Sequence, residues 1–189
     1  MVKWKLLLLL LFNMASLSVM GQFPYPLFSP GFYFAMERYA LKYQQEYDWQ
    51  IILKNDSSFN IKSSLYYFDK VQLVSYQIGN RAASIRPADT KLVFILNNGK
   101  IDMMGLPSDS CWFFQSLKGE INVYSKIPTH KLKHAALIQK GTGPLVPLSR
   151  DNLLALIADD PEMTDYLEAN GFDIYGKVIV RYNSRKEKK

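Results

Sequence analysis

Residues 91–148 read KLVFILNNGKIDMMGLPSDSCWFFQSLKGEINVYSKIPTHKLKHAALIQKGTGPLVPL, and this stretch decides the fold. Three turn signals divide it: Asn98-Gly99, Lys118-Gly119 and Gly141-Thr142-Gly143-Pro144, each set between apolar and aromatic runs. Three successive β-hairpins are expected. Asn98-Gly99 is the strongest signal, because a two-residue hairpin loop of the commonest kind needs positive φ at both positions, which Asn and Gly tolerate. From that turn Leu96 is expected opposite Ile101 and Phe94 opposite Met103 on one apolar face, with Ile95 opposite Asp102 behind. The same arithmetic about Lys118-Gly119 pairs Ser116 with Ile121, Phe114 with Val123 and Trp112 with Ser125. Leu117/Glu120, Gln115/Asn122 and Phe113/Tyr124 fall on the other, mixed face. A short helix over residues 112–118, capped by Gly119, is the competing reading of that segment.

Working outward toward the amino end, residues 49–85 read as further short strands. Residues 49–54 precede the polar corner Asn55-Asp56-Ser57-Ser58; Phe59, Ile61 and Leu65 alternate with polar residues; residues 71–78 give a third run, and Gly79-Asn80 turns it into residues 82–86, ended by Pro87. Asn55-Asp56-Ser57 also fits a glycosylation triplet. Residues 35–47 place Met36, Ala40, Tyr43 and Tyr47 at helical spacing, with Glu37, Arg38, Lys42 and Glu46 elsewhere, so an amphipathic helix is expected there. Residues 22–34 set Phe23, Tyr25, Phe28, Phe32, Tyr33 and Phe34 among Pro24, Pro26 and Pro30. Proline denies this segment a helix or an inner strand, so it reads as an extended aromatic arm, lying on its own domain or reaching a partner.

Toward the carboxyl end the period changes. Ser149 is placed to cap a helix over residues 150–158, and Asp160-Pro161 to start a second that ends at Asn170-Gly171. Leu153, Leu154 and Ile157, then Met163, Tyr166 and Leu167, mark the buried sides. Asp159, Asp160, Glu162, Asp165 and Glu168 form an acidic outer surface whose spacing fits no metal-binding loop. Residues 177–182 read as a last strand with Val178 and Val180 on one side, and residues 183–189 as a solvated basic tail.

The fold class is therefore α+β: mainly antiparallel hairpins, one N-terminal helix and a C-terminal helical pair. Residues 35–182 are expected as a single domain, which the 189-residue length accommodates. Lys3 and Lys5, then a leucine run over residues 6–11 and small residues up to Gly21, have the pattern of a secretory signal peptide cleaved before Gln22. The rival, an uncleaved anchor, would have to span with a stretch interrupted by Asn13, Ser16 and Ser18. The net charge is +6 for the whole chain, and two of the basic residues leave with the leader. An exported protein is badly placed to meet nucleic acid, so no such partner is expected, and no membrane span is expected in the mature chain. Cys111, the only cysteine, allows no internal disulfide and reads as buried packing before Trp112.

Taken together, residues 49–62, 69–71 through Arg86-Pro87-Ala88-Asp89, 117–124, Ile138-Gln139-Lys140-Gly141, Pro147-Leu148 and Arg181-Tyr182-Asn183 resemble a broad group of uncharacterised exported proteins of Bacteroidota. The resemblance implies an envelope location, periplasmic, outer-membrane-associated or secreted, and a β-rich fold. It brings no catalytic residues.

Chemistry is sparse. His130 and His134 have the spacing of a helical metal pair, but they follow Pro128 and precede an apolar strand. Extended, they would share a face with Leu132, while Lys131 and Lys133 would repel a cation; no metal is expected. The Gly141 corner lacks the Lys-Ser/Thr pair of a phosphate loop, and no nucleophile elbow, zinc-protease helix, paired-cysteine or dinucleotide motif is present, so no cofactor is expected. Asp102, Asp109 and Glu120 are the acids of the hairpin region from which a hydrolytic carboxylate pair would be drawn, but no residue is assigned a catalytic role. The function expected is a non-catalytic envelope interaction or binding module, its partner an envelope protein or glycan. A small hydrolase of envelope glycans or peptides is the alternative, and a soluble carrier with an apolar cavity the third.

Overall fold

The computed structural model describes residues 45–79, 81–170 and 174–188. Among these residues ten strands lie in one antiparallel sheet: β1 (Glu46–Leu53), β2 (Ser58–Phe68), β3 (Val71–Ile78), β4 (Arg81–Ile85), β5 (Thr90–Asn97), β6 (Lys100–Pro107), β7 (Trp112–Leu117), β8 (Ile121–Ser125), β9 (Ala135–Lys140) and β10 (Val146–Pro147). Three α-helices of the described residues follow, α1 (Arg150–Ile157), α2 (Pro161–Glu168) and α3 (Tyr175–Lys186). The strand order is β10-β9-β8-β7-β6-β5-β1-β2-β3-β4. Two meanders therefore meet at the β1–β5 pair, and a 3-10 turn at Pro87–Asp89 returns the chain from the β4 edge to the middle of the sheet.

The sheet twists far enough to close half a barrel. The Gln72 amide of β3 donates to the Ser110 carbonyl at 2.8 Å, the Trp112 amide donates to Gln72 Oε1 at 2.7 Å, and Trp112 Nε1 donates to Thr90 Oγ1 at 2.9 Å. Strands several places apart in the order reach one another only because right-handed twist curls the sheet. Trp49, Ile51, Val74, Ile85, Val93, Ile95, Trp112 and Phe114 fill the concave side. Gly105 is required there: a Cβ on it would lie 2.6 Å from Val93 Cγ2 and 3.0 Å from Phe114 Cε1.

Asn98 and Gly99 adopt φ of +50° and +73°, the turn expected of them, and Leu96 does face Ile101. Beyond that pair the expected register fails. Ile95 faces Met103 and Phe94 faces Met104, because Asp102 is the extra residue of a β-bulge. The buried pairs are thus Ile95 with Met103 and Val93 with Gly105, while Phe94 and Leu96 are only half-buried. Residues 112–117 form a strand, not the competing helix, but its register also differs: Leu117 faces Val123, Gln115 faces Tyr124 and Phe114 faces Ser125, with Ser116 extra. The loop is longer than a two-residue turn, since Asn122 Oδ1 accepts from the Gly119 amide at 3.2 Å. The inward set of Trp112, Phe114, Ser116, Ile121, Val123 and Ser125 is nevertheless all buried, because a register offset of two keeps each side chain on its face.

The helices cover β8 and β9 with a second core of Ile121, Val123, Ile138, Leu153, Ile157, Leu167, Val178, Ile179 and Tyr182. Ser149 Oγ accepts from the Asn152 amide at 3.2 Å and Asp160 from the Met163 amide at 3.4 Å, with Pro161 opening α2, so both expected caps are in place. Residues 177–182 are not the expected strand; they lie inside α3. Tyr175, Val178, Ile179 and Tyr182 recur at three- and four-residue spacing and are buried, whereas Val180, read as the strand partner of Val178, is 44% exposed. Six residues are too few to separate the two periods, and the decisive residues flank them. The helix also takes up the expected tail as far as Lys186. Asn183 is buried, its Nδ2 donating to the Ile121 carbonyl at 2.9 Å and its Oδ1 accepting from the Ile121 amide at 2.8 Å.

The leader, the aromatic arm and most of the expected N-terminal helix lie outside the described residues. Glu46 and Tyr47, the last part of that expected helix, are the start of β1 instead. Among the described residues no helix is long and apolar enough to cross a membrane.

Candidate functional site

The bulge that shifts β6 also aims Asp102 outward, and it meets one of the two histidines. His130 Nε2 lies 3.3 Å from both Asp102 carboxylate oxygens, and Nδ1 lies 3.4 Å from the Ser116 carbonyl. The two side chains are 60% and 38% exposed. His134 is elsewhere: residues 132–134 form a 3-10 turn, so the condition under which the two histidines would share a face is not met, and His134 lines a small hollow with Tyr47, Leu65 and Ile127. Among the described residues no group of three histidine, cysteine or acidic side chains is placed to hold a metal. Asp109 and Glu120 are exposed at the β6–β7 and β7–β8 turns. Cys111 is buried with its Sγ 3.3 Å from Ser108 Oγ. The Gly141 corner is the β9–β10 turn, with Gly141 at φ +52° and the Gly143 amide donating to the Lys140 carbonyl at 2.9 Å.

The acidic surface divides by function. Asp159 accepts from Lys140 Nζ at 2.8 Å, Lys186 Nζ at 2.6 Å and the Tyr182 hydroxyl at 2.8 Å. The Lys140 and Lys186 ammonium groups, with help from the Tyr182 hydroxyl, hold its carboxyl well below the usual range. That is the opposite of what a general acid requires. Arg185 Nε donates to Asp160 at 2.9 Å and its guanidinium also reaches Glu162 at 2.8 Å. These carboxylates fasten α3 to the rest of the helical layer.

On the other flank of α3 is a groove of about 620 Å³ between the start of that helix, the 3-10 turn at Leu132–His134 and Leu148. Leu132, Ala135, Leu148, Tyr175 and Val180 supply its apolar wall, and Lys133, Lys177 and Arg181 stand around it. Gly176 lets the helix approach: a Cβ there would sit 3.2 Å from Leu132 Cβ. Lys177 and Arg181 are one helical turn apart, on one face. Arg181 lies over the Tyr166 ring at 4.5 Å, and no carboxylate among the described residues forms an ion pair with any of the three cations. A second hollow, of about 430 Å³, is lined by Ser63, Ser64, Tyr66, Ser75, Tyr76 and Gln77, and there Lys62 is matched by Glu46 at 3.7 Å.

The groove residues were not among the sequence candidates, because Val180 joins Lys177 and Arg181 on one side only when residues 175–186 are wound as a helix. Read as strand, they fall on one face with Ile179, and the helical stripe they make with Val180 disappears. No family model, no curated protein and no solved structure matches this chain.

Proposed function

We propose that this protein is an exported, envelope-associated binding module without catalytic activity, and that the groove beside α3 is its binding surface. The observation that carries the reading is a set of three cations around an apolar wall, with no ion pair to a carboxylate among the described residues. Concave, largely apolar sites with a few convergent polar groups are where proteins hold ligands. Export rests on the basic, leucine-rich leader that ends at Gly21, in keeping with the resemblance to exported Bacteroidota proteins.

The hydrolase reading has one observation in its favour, the His130–Asp102 pair. A carboxylate that orients an imidazole needs a hydroxyl, thiol or water at the other ring nitrogen. In this protein that nitrogen faces the Ser116 carbonyl, which has no proton to give. The binding reading is therefore preferred.

The test is photocrosslinking in the cell envelope, with a photoreactive residue replacing Val180 in the groove or Ile78, 55% exposed on β3. The bait's amino end is read by mass spectrometry in the same preparation. A reproducible adduct from position 180 and not from 78, on bait that begins at Gln22, is expected. The same adducts from both positions would remove the groove from consideration, and an intact leader would overturn the export.

A further inference from the structure

We infer that the ligand of this groove is a single-chain anionic amphiphile, a long-chain fatty-acid carboxylate, an inference that rests on reading the groove as the binding surface.

The wall sets the body of the ligand. Of Leu132, Ala135, Leu148, Tyr175 and Val180, only Tyr175 carries a polar side-chain atom. A peptide backbone or a sugar laid against such a surface would lose water from its amides or hydroxyls and regain few hydrogen bonds, which is unfavourable. An alkyl chain loses nothing by the same transfer. The second hollow, with its serines, tyrosines and matched Lys62 and Glu46, has the opposite chemistry and would suit a neutral polar ligand better.

The cations set the head. Lys177 and Arg181, like charges one turn apart, repel each other unless an anion lies between them. The Arg181 guanidinium is held against the Tyr166 ring at 4.5 Å, which fixes its plane and leaves a fork suited to a carboxylate. Tyr175, Gly176 and Lys177 are the first turn of α3, and Ile174 before them gives no side-chain cap. The positive end of the helix dipole therefore adds to the two side chains. Lys133 closes the set from across the groove.

The chain's own aromatic arm is the rival occupant, since the described residues begin at Gln45 and Gln45 itself lines the hollow next to Lys131 and His134. Its apolar side chains suit the wall, but residues 22–34 contain no acid. It would bury the three cations without neutralising any of them, so charge favours the amphiphile.

Isothermal titration of the full chain with palmitate, methyl palmitate and butyrate tests the assignment. Palmitate is expected to saturate one site, its uncharged ester to bind at least about tenfold more weakly, and butyrate not to bind. A Lys133→Gln/Lys177→Gln/Arg181→Gln variant, shown folded by circular dichroism, is expected to lose about tenfold in palmitate affinity. Val180→Asp, at an exposed position, should abolish binding, and Ile78→Asp should leave it unchanged. Equal affinity for acid and ester, equal affinity in the charge variant, or no palmitate binding would each overturn the inference. If palmitate fails while the photoreactive residue at position 180 captures another molecule, the amphiphile falls and the binding module stands. A position-180 adduct to residues 22–34 of the same chain, with no palmitate binding, gives the groove to the arm.

Discussion

The two flanks of α3 carry the same kind of side chain and opposite surroundings. On one, Lys140, Arg185 and Lys186 each reach a carboxylate of Asp159, Asp160 or Glu162 at 2.6 to 2.9 Å. On the other, Lys133, Lys177 and Arg181 stand beside an apolar wall with no such partner among the described residues. Lys177 and Arg181 on the one flank and Arg185 and Lys186 on the other belong to one helix, so for these four the difference does not come from composition or from distance along the chain. The acids at the start of α2 are used to hold α3 in place, and the groove is left with a positive charge that only something outside the described residues can neutralise. A basic balance of +6 is thus a poor guide to where the unneutralised charge lies.

The comparison holds only while α3 is docked, so the largest effect is expected from undocking it. Asn183→Ala removes a donor and an acceptor from the Ile121 backbone, both buried. Leaving a buried N–H and C=O without partners is expected to cost about 3 kcal/mol. Urea denaturation of the purified protein measures it. Gly119→Ala attacks the same bonds from the strand side, because a Cβ on Gly119 would collide with the Asn183 amide. It should lower stability in the same direction. A loss below about 1 kcal/mol in Asn183→Ala would mean that Val178, Ile179 and Tyr182 hold the helix without the amide.

Asp159→Asn is the next step down, and it acts on the neutralised flank alone. Its side chain is about half exposed, so solvent screening limits the expected loss to about 1 kcal/mol. The pH dependence has a definite sign. The folded-state carboxyl is held below its unfolded value, so its contribution is complete above about pH 4, where the unfolded carboxyl is also ionised. It disappears as the pH falls from there through the lower folded value. Stability curves of the parent and Asp159→Asn should therefore converge at acid pH. A constant separation between them would show that Asp159 acts through its shape and not its charge.

How much of this was legible follows from the length of each signal. Asn98-Gly99, Ser149 and Asp160-Pro161 are local devices in which two or three residues fix the backbone, and each forms as read. The faces of β7 and β8 were also legible, since alternation survives a register shift of two. The Asp102 bulge was not, because nothing in a strand's own residues says where an extra one will be accommodated; the shift is decided by Val93, Gly105 and Phe114 packing across three strands. The pairing of Asp102 with His130 was lost with it. Residues 177–182 were misread because Val178 and Val180 imitate a strand, while Tyr175 and Asn183, which show the helical period and the docking, lie just outside that window. The groove inherits that error, being a property of α3 and the turn at Leu132–His134 together.

The smallest effect is the sharpest test of the comparison. Removing a cation from the neutralised flank costs an ion pair, whereas Lys177→Gln on the open flank removes a repulsion with Arg181 one turn away. A gain of about 0.3 kcal/mol is expected. Raising the salt concentration should erase most of it, because ions screen two exposed charges more readily than they weaken an apolar contact. The measurement is a pair of urea curves, parent and variant, at low and high salt, without added ligand. A loss of stability in place of the gain would mean that Lys177 already has an anionic partner within the chain. The two flanks of α3 would then be alike, and the case for an external anion in the groove would fall with the contrast that supports it.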